Sequence, residues 1–236
     1  MSGASSAGPL GLREMKRNAA RAALDFIEPD SVIGVGSGTT VNCFLDVLAE
    51  SGIRISGGVP ASLETMRRLR EMGVDIVDLA ETRPFLYVDG ADEVDMSGRA
   101  IKGAGLAHTR EKEIATACDY WACIVDATKV VRALGGVPVP LEVADGSVAE
   151  VVSAVGELGG RGHVRQGVLT DSGHQVVFAF GLSLEDPLAL EDALDAIPGV
   201  LGNGVFARRA ADVILVGRST GGVYRIVPHS GDDVVD

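Results

Sequence analysis

Apolar positions recur at helical spacing over residues 13–27 (Met15, Ala19, Ala22, Ala23, Phe26), and Pro29 closes the pattern. The next apolar run, Ser31-Val-Ile-Gly-Val35, is short and rich in β-branched residues. Gly36-Ser-Gly-Thr-Thr40 separates it from a second helical stretch over residues 41–51. Strand, glycine turn, helix is the opening of a parallel α/β sheet. The alternation then repeats. Residues 53–56 predict a strand, 62–72 a charged amphipathic helix, and 75–79 and 85–89 two further strands. A helix over 109–120 and a strand over 121–126 follow. Polar residues gather at the carboxyl ends of these strands, where open α/β sheets bind ligands.

Beyond Leu134-Gly-Gly-Val-Pro-Val-Pro140 the texture changes. Residues 148–158 read as a helix, and 167–170 with 175–180 as a hairpin about Asp171-Ser-Gly-His174. Residues 188–197 form a helix that stops at Pro198-Gly199, and 211–216 and 223–227 look like strands returning to the first sheet. The expected fold is therefore α/β, a Rossmann-like parallel sheet domain with an inserted smaller α+β domain of ferredoxin-like type. The sheet domain is discontinuous, 12–134 and 208–230, with the insertion over 135–207. Segments 1–11 and 231–236 are expected to be disordered.

The chain has 236 residues, enough for a sizeable core. Its 33 acidic and 21 basic residues leave a formal net charge of −12, which argues against a nucleic-acid surface. A small phosphate stays possible, because it responds to local amides and one or two lysines rather than to net charge. No apolar run reaches the length of a bilayer span, and residues 1–11 lack the charged and apolar regions of a secretory signal. Cys43, Cys118 and Cys123 lie within apolar runs and are odd in number, so they read as buried thiols of a reducing, cytoplasmic compartment.

Three polar loops carry the candidate chemistry. Gly34-Val-Gly-Ser-Gly-Thr-Thr40 offers amides at a helix N-terminus and the hydroxyls of Ser37, Thr39 and Thr40, a cradle for phosphate or, alternatively, a tight turn without a ligand. It is not a Walker loop, and no acid near position 55 is placed for an adenosine ribose. The second loop, Asp89-Gly-Ala-Asp-Glu-Val-Asp95, can be a solvated turn, a metal site, or a set of carboxylates that handle hydroxyl protons. The third, Lys102-Gly-Ala-Gly-Leu-Ala-His-Thr-Arg-Glu111, supplies a cation among glycines and, nine residues on, a carboxylate near a helix start with Thr109 as its expected N-cap. There the helix dipole favours the ionised form of a base; the alternative is that Glu111 only balances the dipole and pairs with Arg110 or Lys112. His108 is expected to act from behind the loop or to face solvent. Together the loops suit proton transfer between adjacent carbons of a phosphorylated sugar through an enediolate.

On these motifs the chain resembles the ribose-5-phosphate isomerase type A family. The resemblance runs from about Met15 to Val227. It rests on Gly-Val-Gly-Ser-Gly-Thr-Thr40, Tyr-Val-Asp-Gly-Ala-Asp-Glu93, Ile-Lys-Gly-Ala-Gly105, Thr-Arg-Glu-Lys112 and Asp-Ala-Thr-Lys129. Val-Pro-Val-Pro-Leu-Glu142 and Arg-Gln-Gly-Val-Leu-Thr-Asp171 follow in the family's order. The resemblance implies interconversion of D-ribose 5-phosphate and D-ribulose 5-phosphate with no cofactor and no metal, in a cytoplasmic homo-oligomer, a dimer or tetramer. It implies Glu111 as the base and Lys102, Asp89 and Asp92 as its catalytic partners. Substrate contacts would come from Ser37, Gly38, Thr39, Thr40, Gly90, Ala91, Gly103, Ala104, Gly105, Lys129 and Lys16. The chain departs from the family pattern at Ala104, where a third glycine is usual, at Ala61 and at His108. The alternatives are a paralogous isomerase of a modified pentose phosphate and a phosphosugar-binding protein without turnover.

Overall fold

The short β-branched run Val32–Val35 (β1) forms the middle of a parallel sheet, after the amphipathic helix Leu12–Ala23 (α1) and before Gly38–Ser51 (α2). The structure is a computed structural model that describes residues 11–228, so the expected loose ends fall outside the described residues apart from Gly11. The chain continues through Gly57–Pro60 (β2), Leu63–Glu71 (α3), Leu86–Asp89 (β3), Glu93–Val94 (β4), Ala100–Ile101 (β5), His108–Ala117 (α4) and Tyr120–Asp126 (β6). Then come Val139–Val143 (β7), Val148–Glu157 (α5), Arg161–Leu169 (β8), Gln175–Phe180 (β9), Pro187–Asp195 (α6), Val200–Asn203 (β10) and Val205–Phe206 (β11). Val213–Gly217 (β12) and Val223–Ile226 (β13) complete the order.

Six strands form the main sheet in the order β13-β12-β6-β3-β1-β2, all parallel except the edge strand β13. The parallel strands are buried on both faces, as a parallel sheet demands, whereas the antiparallel edge strand β13 is not. One face packs on α1, α2 and Leu69 of α3, the other on Ile114 and Ala115 of α4 with Trp121 and Phe206. A four-stranded antiparallel sheet, β10-β7-β9-β8, packs with Val151 and Val155 of α5 and Leu190 and Leu194 of α6 in a third cluster. A small sheet, β11-β5-β4, links the two. The α/β class and the Rossmann-like sheet are as the sequence predicts.

Sheet order locates the ligand site. From β1 the chain moves outward to β2 on one side, then crosses to β3 on the other, so successive connections diverge between β1 and β3. At such a switch point the loops after the two strands part and leave a crevice. Here those loops are Gly36–Ser37 and Asp89–Asp92.

The structure corrects several expected elements. Residues 53–56 are not a strand; the edge strand is β2, whose paired glycines look like a turn in sequence. A Cβ on Gly58 would sit 2.8 Å from Leu69 Cδ1, and one on Gly57 2.6 Å from Val77 Cγ2, so close packing requires glycine there. Residues 75–79 make only a single parallel bridge, Gly58 to Ile76, before Asp78 accepts from the Ala80 amide and turns the chain. Strand β7 is hidden in sequence by Pro138 and Pro140, and β8 begins well before residue 167. Helix α2 starts at Gly38 rather than 41, taking both threonines into its first turn. Among the described residues, no helix is long and apolar enough to cross a membrane.

Helix α1 lies so close to the sheet that a Cβ on Gly217 would fall 1.9 Å from the Met15 carbonyl oxygen. Backbone cannot yield as a side chain tip can. Gly217→Ala should therefore lower stability by about 3 kcal/mol in urea denaturation; an unchanged midpoint would mean that α1 does not seat as described.

Candidate active site

The cleft at the switch point has a volume of about 150 Å³ and is lined by Lys16, Ser37, Gly38, Thr39, Thr40, Gly90, Ala91, Asp92, Lys102, Gly103, Gly105, Glu111 and Lys129. Thirteen of the fifteen residues singled out in the sequence thus share one wall. The exceptions are Asp89, buried beneath the cleft, and Ala104, exposed at its rim with its N–H donated to Asp92 Oδ2 at 2.8 Å. A larger groove of about 570 Å³, running past Ser62, Met66, Arg70 and Arg110, contains none of the fifteen.

The end of the cleft expected to take phosphate is built on the N-terminus of α2. Ser37 is the N-cap of α2, but its hydroxyl does not cap the helix. It donates to Glu111 Oε1 at 2.6 Å instead. The first-turn amides of α2 therefore keep no side-chain partner from the cap and stay available to an anion. Lys16, from α1, donates to Thr39 Oγ1 at 2.9 Å, which places an ammonium beside those amides. Lys129 approaches from the far side, on a turn that Asp126 caps by accepting from Thr128 N at 3.0 Å. Buried Thr65 of α3 donates to the Gly36 carbonyl at 2.6 Å and anchors the loop from behind.

The reaction end centres on Lys102, only 3% exposed. Its Nζ lies 2.8 Å from Asp89 Oδ2 and 3.2 Å from Glu111 Oε2, and it donates to the Gly90 carbonyl. The rings of Trp121 and Phe206 flank the ammonium, with centroids 5.7 and 5.6 Å away. Burial works against the charge, but Asp89 and Glu111 outweigh it and hold Lys102 above the ordinary lysine range. Asp89 is 0% exposed. Burial, and then the neighbouring Glu111, raise its carboxyl to about 6, while Lys102 and the Tyr87 hydroxyl pull the other way. The pair is ionised at neutral pH.

Asp89 fits only because residue 36 is glycine: a Cβ there would lie 1.9 Å from Asp89 Cγ. Through that gap Asp89 Oδ1 accepts from the amides of Ser37 at 3.1 Å and Gly90 at 2.7 Å. The acidic cluster otherwise divides its work. Asp92 faces the cleft, Glu93 accepts from the Gly135 and Gly136 amides, and Asp95 pairs with Arg99 at 2.7 Å. Among the described residues, no group of three or more His, Cys, Asp or Glu side chains is gathered to hold a metal ion.

Glu111 lies in the first turn of α4, 4% exposed. Its Oε1 is held by Ser37, whereas Oε2 faces the Lys102 charge without a hydrogen bond. One carboxylate oxygen is fixed and the other is free to take a proton. The alternative, a surface pairing of Glu111, is not what the structure has: Arg110 pairs with Glu113, and Lys112 reaches Glu191 and Asn203. Thr109 is not the N-cap, since α4 already includes His108 and Ala107 precedes it. Sequence reading missed Tyr87, Trp121 and Phe206 around the lysine. Only Tyr87 had a visible signal: two residues before Asp89 in a strand, it must share its face.

His108 does not face solvent. It is fully buried, and a Cβ on Gly103 would meet its Nδ1 at 2.8 Å, so ring and glycine loop are in contact. Neither ring nitrogen has a hydrogen-bond partner. Burial lowers its basicity to about 4, with the Lys112 charge adding to the effect and Glu142 opposing it.

The amino-acid sequence matches the model of the family described as ribose 5-phosphate isomerase A (phosphoriboisomerase A) over residues 57–221, more than half of the chain. The chain belongs to that family. A ribose-5-phosphate isomerase A of Legionella pneumophila is 45% identical over 211 residues, which cover 89% of this chain and 98% of the relative. The crystal structure of ribose 5-phosphate isomerase A from Neisseria gonorrhoeae superposes with a TM-score of 0.91 at 38% identity, covering 94% of this chain and all of that one. A D-ribose-5-phosphate isomerase in complex with phospho-erythronic acid superposes at 0.87 with 36% identity, covering 92% of this chain and all of that one.

The buried, neutral His108 of this isomerase-family chain gives a pH signature. Between about 6.5 and 4 the unfolded chain binds a proton at residue 108 that the native state refuses, so this residue's contribution falls as pH falls through that window. Asp89, raised to about 6, acts in the opposite sense. Thermal midpoints of His108→Leu and wild type should therefore converge or cross in favour of the variant as pH drops from 7 to 4.5; a difference independent of pH would show that His108 titrates normally.

Proposed function

We propose that this protein interconverts D-ribose 5-phosphate and D-ribulose 5-phosphate by moving one proton between C1 and C2. The observation that carries the reading is Glu111, one oxygen fixed by Ser37 and the other free beside the Lys102 ammonium, at the head of a cleft whose far end is built for phosphate. Phosphate would bind the first turn of α2 with Thr39, Thr40, Lys16 and Lys129, and Gly38 lets the chain approach closely. Gly90, Ala91, Gly103, Ala104 and Gly105 would surround the sugar with backbone.

Ring opening comes first, with Lys102 and the Asp92 carboxylate handling the hydroxyl proton and Asp89, out of reach of the sugar, assisting through Lys102. Glu111 then takes the C2 proton of the open aldose. The C–H electrons form the C1–C2 double bond, and negative charge moves onto O1, where Lys102 stabilises it. Glu111 returns its proton to C1, the O2 hydroxyl gives its proton to O1 by way of Asp92, and C2 becomes the carbonyl. Asp89 acts from beneath, keeping Lys102 charged. The ligand of the solved relative, phospho-erythronic acid, supports this course. A carboxylate beside a hydroxyl-bearing carbon resembles the planar enediolate in shape and charge.

The same reading makes the protein a cytoplasmic homo-oligomer, and the three buried free cysteines accord with a reducing compartment. It also treats residues 135–207 as a unit inserted into the sheet domain.

Glu111→Gln should lower kcat for ribose 5-phosphate about a thousandfold and leave KM within a few-fold; retention of wild-type turnover would remove Glu111 from the reaction. Lys102→Ala should reduce kcat about a hundredfold or more, and an effect confined to KM would count against its charge-stabilising role.

A further inference from the structure

Tyr87 and Asp89 leave β3 on the same face, and the Tyr87 hydroxyl donates to Asp89 Oδ2, the same oxygen that faces Lys102. Tyr87 is fully buried, tilted against Trp121 at a centroid distance of 6.1 Å, and does not line the cleft. It cannot bind a ligand there. A phenylalanine would fill the same apolar space, so packing alone does not call for a phenol.

The carboxyl group of Asp89 is surrounded by four donors: the amides of Ser37 and Gly90 on Oδ1, and Lys102 and Tyr87 on Oδ2. The titratable groups facing it are Lys102, Glu111 of α4, the Cys123 thiol of β6 and Tyr87 itself. Glu111 favours the protonated form, and Lys102 is shared between the two acids. Of the two donors on Oδ2, Tyr87 is the one that Asp89 shares with no other acid. We propose that Tyr87 is a positioning residue for the isomerisation: its hydroxyl fixes the Asp89 carboxylate in ionised form against Lys102, and so holds the ammonium at the reacting oxygens. This rests on the function proposed above.

The burial that raises Asp89 to about 6 leaves little margin, since losing one donor to a charged acceptor is worth about one pH unit or more. In Tyr87→Phe the acid limb of the kcat/KM profile should move to higher pH by about one unit. At pH 7 kcat should fall about twofold, and close to tenfold on the acid limb below pH 6, with KM changed less than twofold. Uniform replacement of the three tyrosines by 3-fluorotyrosine, a more acidic donor of nearly the same shape, should move the limb to lower pH. Tyr120 stacks on Phe26 and Tyr224 lies under Arg218, so neither reports on Asp89. An acid limb unmoved in both proteins, or an effect on KM alone, overturns the proposal.

The carbon-13 carboxyl titration of Asp89 in the ligand-free protein separates the two readings, because it requires no turnover. If wild type fails to isomerise ribose 5-phosphate, the functional reading falls. The Asp89 midpoint in Tyr87→Phe still decides whether the phenol controls that carboxylate: a rise supports it, and no change refutes it. If Tyr87→Phe does not fold, the fluorotyrosine protein alone gives the answer by the direction of its shift.

Discussion

One buried ammonium between two carboxylates, Lys102 with Asp89 and Glu111, organises this molecule around its cleft. Two acids that close together, out of water, cannot both stay ionised without a cation between them, and the cation cannot stay charged without them. The three groups come from the end of β3, the residue after β5 and the first turn of α4. Holding the triad thus requires those elements to meet at fixed distances. The small sheet enforces that meeting, because β5 pairs with β4 on one side and β11 on the other, and the Lys102 amide donates to the Gly204 carbonyl.

Supports outside the triad follow the same logic. Lys112, one residue beyond Glu111, is tied to Glu191, Asn203 and the Val205 carbonyl, so helix α4 is anchored to α6 and β11 on the face away from the cleft. Glu142 accepts from Thr170 at 2.7 Å and lies 3.1 Å from His174 Nδ1, which fixes the hairpin tip; from there Asp171 accepts from the Leu63 amide at the start of α3. Thr65, in the same turn of α3, grips Gly36. The Gly36–Ser37 turn and the helix that carries Glu111 are therefore braced from both sheets rather than left as free surface.

Much of this was legible in the sequence, for identifiable reasons. Strands β1, β3 and β6 are short apolar runs ending in glycine or aspartate, so both the strands and the loops of the switch point could be read. Thirteen of the fifteen singled-out residues meet in one cleft; Ser37, Thr39, Thr40 and Asp92 could be read from loops behind strands, whereas Lys16 and Lys129 followed from the family resemblance. What could not be read depends on partners distant in the chain. The edge strand β2 opens on two glycines because Leu69 and Val77 press on it, and β7 contains Pro140 and follows Pro138, residues that sequence patterns assign to loops. Phe206 reaches Lys102 from more than a hundred residues away, with no local pattern to announce it. Of the two places the sequence allows His108, behind the loop or in solvent, the structure takes the first, and one ring in an apolar layer looks the same in sequence as one in solvent.

The tryptophan that flanks Lys102 is the only one in the chain. Its indole lies against the buried ammonium shared by Asp89 and Glu111, fully shielded from water. The protein thus carries its single indole beside the candidate site, where emission colour and intensity report the electrostatic state of the Lys102 cluster in real time without any label.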